Sequence, residues 1–142
     1  MTKFKWKSLP PLVIRRDIYQ LEKIAEDRLV ITFRDKVQIE IEGAKLLDAD
    51  CIALSGNKRF KLIIESRNIN SNITGGALNY LAKEAPSRKL VIGSVLLVNN
   101  LPIRLLAKVY IRYHKPPYPS KIFKEREVAI RWLDELVPTI TA

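Results

Sequence analysis

Histidine, cysteine and methionine each occur once among the 142 residues, and each scarcity removes a class of chemistry. A lone cysteine, Cys51, closes no internal disulfide, so a reducing cytoplasm is the expected compartment. With one histidine, His114, and no cysteine pair or aspartate triplet, no metal-ligand spacing is present. A nucleophilic cysteine needs a nearby base, and His114 lies far from Cys51 in sequence. Glycine is also sparse, at five. The chain carries neither a G-x-x-x-x-G-K-[ST] phosphate loop nor the spacing of a dinucleotide fingerprint, so no cofactor is expected. No apolar run approaches the roughly 20 residues that span a bilayer. The start, "MTKFKWKSLPPLVIRR", lacks the apolar core and small-residue cleavage site of a secretory signal.

What is present fits one folded domain. The chain is long enough to bury about two-thirds of its unfolded surface, and its 47% hydrophobic content is that of a globular protein. The Pro pair in Ser8–Leu12 separates a basic arm, residues 1–16, from a domain over residues 17–142. Lys3–Lys7 in that arm reads as an edge strand or a loose tail. The net charge of +10 is uneven. Residues 85–124 hold Arg88, Lys89, Arg104, Lys108, Arg112, Lys115, Lys121 and Lys124 and no Asp or Glu. Such a field attracts nucleic acid, an acidic membrane leaflet or an acidic protein.

Periodicity supplies the elements. Ile18, Leu21, Ile24 and Ala25 fit a helix, yet Ile18–Ile24 also reads as a strand leading into a hairpin with "RLVITF" at Arg28–Phe33. Ala44, Leu47, Cys51 and Leu54 make the buried stripe of a helix. That helix ends at Gly56 and Asn57, residues suited to the left-handed conformation. Phe60–Ser66 is a buried strand. Leu78, Leu81, Ala82 and Ala85 form an amphipathic helix stopped by Pro86, and Lys89–Val98 is apolar on both faces, as a covered central strand must be. Asn99, Asn100 and Pro102 start a helix running to about Tyr113. Ser120–Phe123 is a last short strand. Val128, Ala129, Trp132, Leu133, Leu136 and Val137 pattern a terminal helix. Helix and strand thus alternate from about residue 37, which predicts an α/β domain with a mainly parallel sheet. In such sheets function gathers at the carboxyl ends of the strands.

One junction at that edge stands out, Asn70–Leu81, "NSNITGGALNYL". Thr74 is a fair helix N-cap. Gly75 and Gly76 allow backbone amides at the positive end of the helix to approach an anion closely. An ordinary cap and a bound or covalent phosphate are the two readings. The carboxylate pairs Glu40/Glu42 and Asp48/Asp50, spaced by two, share no helical face and suggest no acid–base couple. On the helix over residues 100–115, Arg104, Lys108, Arg112 and Lys115 project at about 0°, 40°, 80° and 20° for about 100° per residue. This narrow cationic stripe is either a solvated face or an anion-binding one. Tyr110, Tyr113 and Tyr118 nearby are either core residues or platforms for bases.

The order of pieces "FKLIIES", "NSNITGGALNYL", "VIGSVLLVNNLPIRLLAKVYIRY" and "PSKIFKEREVAIRWLDEL" resembles the STAS domain family. These are the SpoIIAA-like, anti-sigma-factor-antagonist folds, including an uncharacterised bacterial branch. Ile122–Leu133, a short strand closing on Phe before an Ala-x-x-Trp/Leu-Leu helix, carries most of the likeness, which spans roughly Ile31 to Val137. The resemblance implies a single STAS-like domain without catalysis that acts as a regulatory, protein-binding module. In phospho-regulated members a Ser or Thr opening the helix after the central strand is phosphorylated by a partner kinase. The matching region here is Ser71, Thr74, Gly75 and Gly76, with "NSNITGG" standing where those members have an Asp-Ser-Ser-Gly type motif. A protein partner is therefore expected. Nucleic acid or acidic lipid on the basic helix, and a second copy of the chain, are the alternatives.

Overall fold

In the computed structural model, residues 12–137 are described. Lys3–Lys7, read from sequence as an edge strand or a tail, lies outside them. Six strands form one sheet in the order β1-β2-β3-β5-β7-β8. Strand β1 (Val13–Arg15) pairs antiparallel with β2 (Tyr19–Ala25), so the end of the segment read as an arm is an edge of the sheet. From Tyr19 onward this stretch is strand: β2 and β3 (Arg28–Phe33) form an antiparallel hairpin. Alternation settles that choice. Tyr19 and Leu21 are buried while Gln20 and Glu22 are only half-buried, a period of two.

Strands β3, β5 (Phe60–Glu65), β7 (Val91–Leu97) and β8 (Ser120–Phe123) are mutually parallel. Every residue of β7 is buried, as its apolar run requires. A separate two-stranded parallel ladder joins β4 (Gln38–Ile39) to β6 (Asn72–Ile73).

Helix α1 (Ile41–Ser55) closes with Gly56 and Asn57 both left-handed, at φ 66° and 61°. Helix α2 (Gly75–Asn79) continues as a π-turn over Tyr80–Glu84, and α3 (Leu101–Val109) as a second π-turn over Tyr110–His114. Helix α4 spans Arg126–Glu135. Paired residues share a sheet face. Leu29, Ile31, Leu62, Ile64 and Leu96 lie under α1, α2 and α3, whereas Val30, Ile63, Val95 and Leu97 lie under α4 alone.

On α4 the apolar face is narrower than its sequence pattern. Ala129 and Leu133 are buried and Trp132 and Leu136 are half-buried, but Val128 and Val137 are exposed. Val128 is about 100° around the helix from Ala129, and Val137 lies beyond the helix end.

Cys51 is buried in the core, and burial pushes its thiol pKa up, the state of an inert packing residue. Asp48 and Asp50, which suggested nothing as a spaced pair, are both buried on α1 with separate partners. Asp48 accepts from the Ser87 amide at 2.8 Å. Asp50 accepts two bonds from Arg16 at 2.9 Å and one from the Tyr19 hydroxyl at 2.5 Å, which ties β1 and β2 to the helix. Burial pushes the Asp50 carboxyl up, but the bonds from Arg16 and Tyr19 and the Arg16 charge outweigh it and hold the pKa below the usual carboxylate range.

Candidate functional site

The carboxyl ends of β3, β5, β7 and β8 put four loops side by side, and polar side chains knit them together. At the end of β5, Arg67 grips Glu65 through Nε at 3.0 Å and Nη2 at 2.7 Å, and reaches the carbonyl of Lys124 after β8 at 3.3 Å. Burial pushes Glu65 up, but these Arg67 bonds outweigh it and lower its pKa. Asn68, left-handed at φ 62°, exchanges two bonds with Asn99: its amide donates to Asn99 Oδ1 at 3.0 Å, and Asn99 Nδ2 returns one at 2.8 Å. Asn100 caps α3 by accepting from the Ile103 amide at 2.9 Å, while its Nδ2 holds the Ile69 carbonyl at 3.0 Å. On the other flank the Asn70 amide donates to Asp35 at 2.7 Å, and Lys36, left-handed at φ 59°, donates its amide to the Asn70 carbonyl at 2.9 Å. The junction is therefore fixed from both sides before α2 begins.

Thr74 Oγ1 accepts from the Ala77 amide at 3.2 Å, so it caps α2. Its side chain and that of Ser71 are half-exposed, and Gly75 and Gly76 are exposed. Neither glycine has a left-handed φ, and a Cβ on either would meet nothing within 4 Å. Glycine in a helix costs about 0.5–1 kcal/mol relative to alanine in the interior. The fold imposes no need for two of them here. Gly93, by contrast, is crowded: a Cβ there would displace the end of the Leu136 side chain and stand 3.3 Å from the Pro119 carbonyl.

The basic helix is nearby, since its cap is bonded to the same loop. Arg104, Lys108 and Arg112 are exposed along α3, but the spacing of about 100° per residue holds only to Val109. The Lys115 amide bonds back five residues to Tyr110 at 3.2 Å, and Lys115 itself is left-handed at φ 49°, so it stands past the helix end. Between the cations runs a ridge that cation spacing alone does not reveal: Leu101, Leu105, Val109 and Tyr113 are 65%, 52%, 40% and 71% exposed. Their own spacing of four was its signal, and it belongs to one helical face. A groove of about 570 Å³ lies between this ridge and the edge strand β8, with Lys108, Arg112, Lys121 and Ile122 in its walls. Of the three tyrosines, Tyr110 is buried, Tyr118 is half-buried with its hydroxyl 3.5 Å from that of Tyr110, and only Tyr113 is open for stacking. His114 stacks on the Tyr110 ring at 6.1 Å between centroids.

A cavity of about 120 Å³ lies behind α3, between the sheet and helices α1–α3. Its walls are mostly aliphatic and aromatic. At about 24 cal/mol per Å³, an empty space of this size forgoes about 3 kcal/mol of packing. Among the described residues no three His, Cys, Asp or Glu side chains cluster as metal ligands, and no helix is long and apolar enough to cross a membrane.

None of the curated proteins matches this chain. Among solved structures, an uncharacterised DUF3478-family protein from Shewanella loihica PV-4 with a SpoIIAA-like fold aligns at a TM-score of 0.56. The alignment covers 84% of this chain and 98% of that one at 15% identity. That likeness shows the fold, which is SpoIIAA-like as the sequence pattern implies. Residues 22–137 match the family model of a domain of unknown function, DUF7793, and the chain therefore belongs to the DUF7793 family.

Proposed function

We propose that this chain is a non-catalytic regulatory module that docks a protein partner on the surface formed by the Ser71–Gly76 junction and the outer side of α3. The observation that carries the reading is the pair Gly75–Gly76, exposed and unneeded by the backbone or its neighbours. Two such residues in a first helical turn give a partner close access to backbone amides. The adjoining ridge supports it, because four exposed apolar residues beside three cations suit an amphipathic acidic segment laid along a groove. No constellation of acid, base and nucleophile competes with binding among the described residues.

Regulation is assigned to Thr74 or Ser71. A phosphate adds about −1.5 to −2 charge at pH 7 and would repel an acidic partner at this surface. Thr74→Asp isolates that effect, because Asp is itself a good N-cap and keeps the helix start. The variant should fold normally and lose the partner captured by the wild type. Unchanged capture removes the assignment.

A second reading rests on the acid-free segment 85–124 with Arg104, Lys108 and Arg112 exposed: nucleic acid or an acidic lipid surface binds α3. It requires affinity that falls steeply with salt, and a flat salt response excludes it.

A further inference from the structure

The cavity behind α3 meets the docking surface only at Ser71–Ile73, which line both. We propose that this cavity binds a single medium-length hydrocarbon chain with an acidic head, a fatty-acyl carboxylate, the chain lying along the sheet and the head at Arg88. The inference stands apart from the partner-binding reading.

Shape and lining give the chain. The walls run from Phe60 and Val91, at the amino ends of β5 and β7, to Ile73 and Ile103 at the carboxyl edge. A six-residue strand spans about 20 Å. Lining residues spread over that length accommodate an extended chain. A volume of about 120 Å³ is close to the roughly 150 Å³ of an apolar protein cavity that stays dry and takes up benzene. The space thus suits about six heavy atoms of hydrocarbon, with the head at its half-exposed Arg88 mouth, and its walls give water few partners. The two π-turns, Tyr80–Glu84 and Tyr110–His114, lie together at the helical side of this space, through the cluster of Leu78, Ala82 and Tyr110.

Charge gives the head. Two ionisable side chains of full charge line the space, Asp48 and Arg88. Asp48 is engaged by the Ser87 amide. Arg88 sits on the turn just before β7, half-exposed, and its guanidinium makes one hydrogen bond among the described residues, from Nη1 to the Ala85 carbonyl at 3.0 Å. Its remaining donors are free to take a carboxylate as a fork. The head then lies at the amino edge of the sheet and the tail points toward Ser71 and Asn72.

The test is calorimetric titration of the whole chain with octanoate and with octanol, on the wild type, Ala107→Phe and Arg88→Gln. Ala107 is 5% exposed and lines the cavity, so a phenyl ring there fills it. The expected result is saturable one-to-one binding of octanoate to the wild type and at least a tenfold loss in Ala107→Phe. Arg88→Gln should weaken octanoate several-fold while leaving octanol unchanged. If Ala107→Phe does not fold by circular dichroism, Leu106→Trp serves as the blocking variant. Absence of saturable octanoate binding to the wild type overturns the proposal. So does binding that survives a folded blocking variant, or an Arg88→Gln effect that fails to separate acid from alcohol.

Discussion

Replacing Gly75 and Gly76 together by alanine should stabilise the protein and weaken its partner contact. Both positions have ordinary φ values and open space where a Cβ would stand, so alanine introduces neither strain nor clash. A substitution of that kind gains about 0.4–1 kcal/mol, largely by restricting the unfolded chain. The first turn of a helix belongs at the lower end, giving about 1 kcal/mol for the pair. At about 2.1 cal/mol/K per residue, 142 residues give an unfolding entropy near 0.3 kcal/mol/K, so Tm should rise by about 3 °C. Thermal denaturation followed by circular dichroism reads this directly, and capture of the partner by the same preparation reads the second half. A fall in Tm would mean that the fold needs these glycines, and the inference from their dispensability would be refuted. A rise in Tm with undiminished capture would refute the docking role.

Four further outcomes follow from the same contacts. Asn100→Ala should destabilise by about 1–2 kcal/mol, because it removes the cap of α3 and the bond to Ile69 together; chemical denaturation measures it. Asp50→Ala should cost about 1–3 kcal/mol by leaving the buried Tyr19 hydroxyl without its acceptor. Gly93→Ala should destabilise by about 1–3 kcal/mol, since Leu136 must move and the Pro119 carbonyl is 3.3 Å from the new Cβ. Asp50 and Glu65 both have folded pKa values below their unfolded ones, near 4. Their contribution is therefore complete above about pH 5 and is lost as pH falls through the lower folded values. Unfolding free energy measured from about pH 6 to pH 2 should drop, and the drop should be smaller in Asp50→Asn.

The larger elements were legible because local chemistry and tertiary packing agree there. Gly56 and Asn57 end α1, Thr74 and Asn100 cap α2 and α3, and the doubly apolar β7 lies inside the sheet, each by the mechanism its residue type suggests. The ambiguity at 18–24 was decided by a long-range partner, β3, which no local window contains. The π-turns escaped notice because a hydrogen bond shifted by one residue leaves no mark on composition. Lys115 fell off the cationic stripe for that reason. At the site, the cations of α3 are plain in sequence, but in the ridge from Leu101 to Tyr113 only Tyr113 draws attention there, as a core residue or a platform for bases. Only the structure shows that α3 turns Ala107 and Tyr110 inward instead. The cavity left no sequence signal, since the residues around it are those of any packed interior.

The most direct test of the central claim is affinity capture from the native lysate on the wild type and on Thr74→Asp, washed at low and high salt, with retained molecules identified by mass spectrometry. The account predicts a defined protein that survives high salt on the wild type and is absent from the variant. Retention of nucleic acid or acidic lipid alone, released by salt and indifferent to Thr74→Asp, would contradict it.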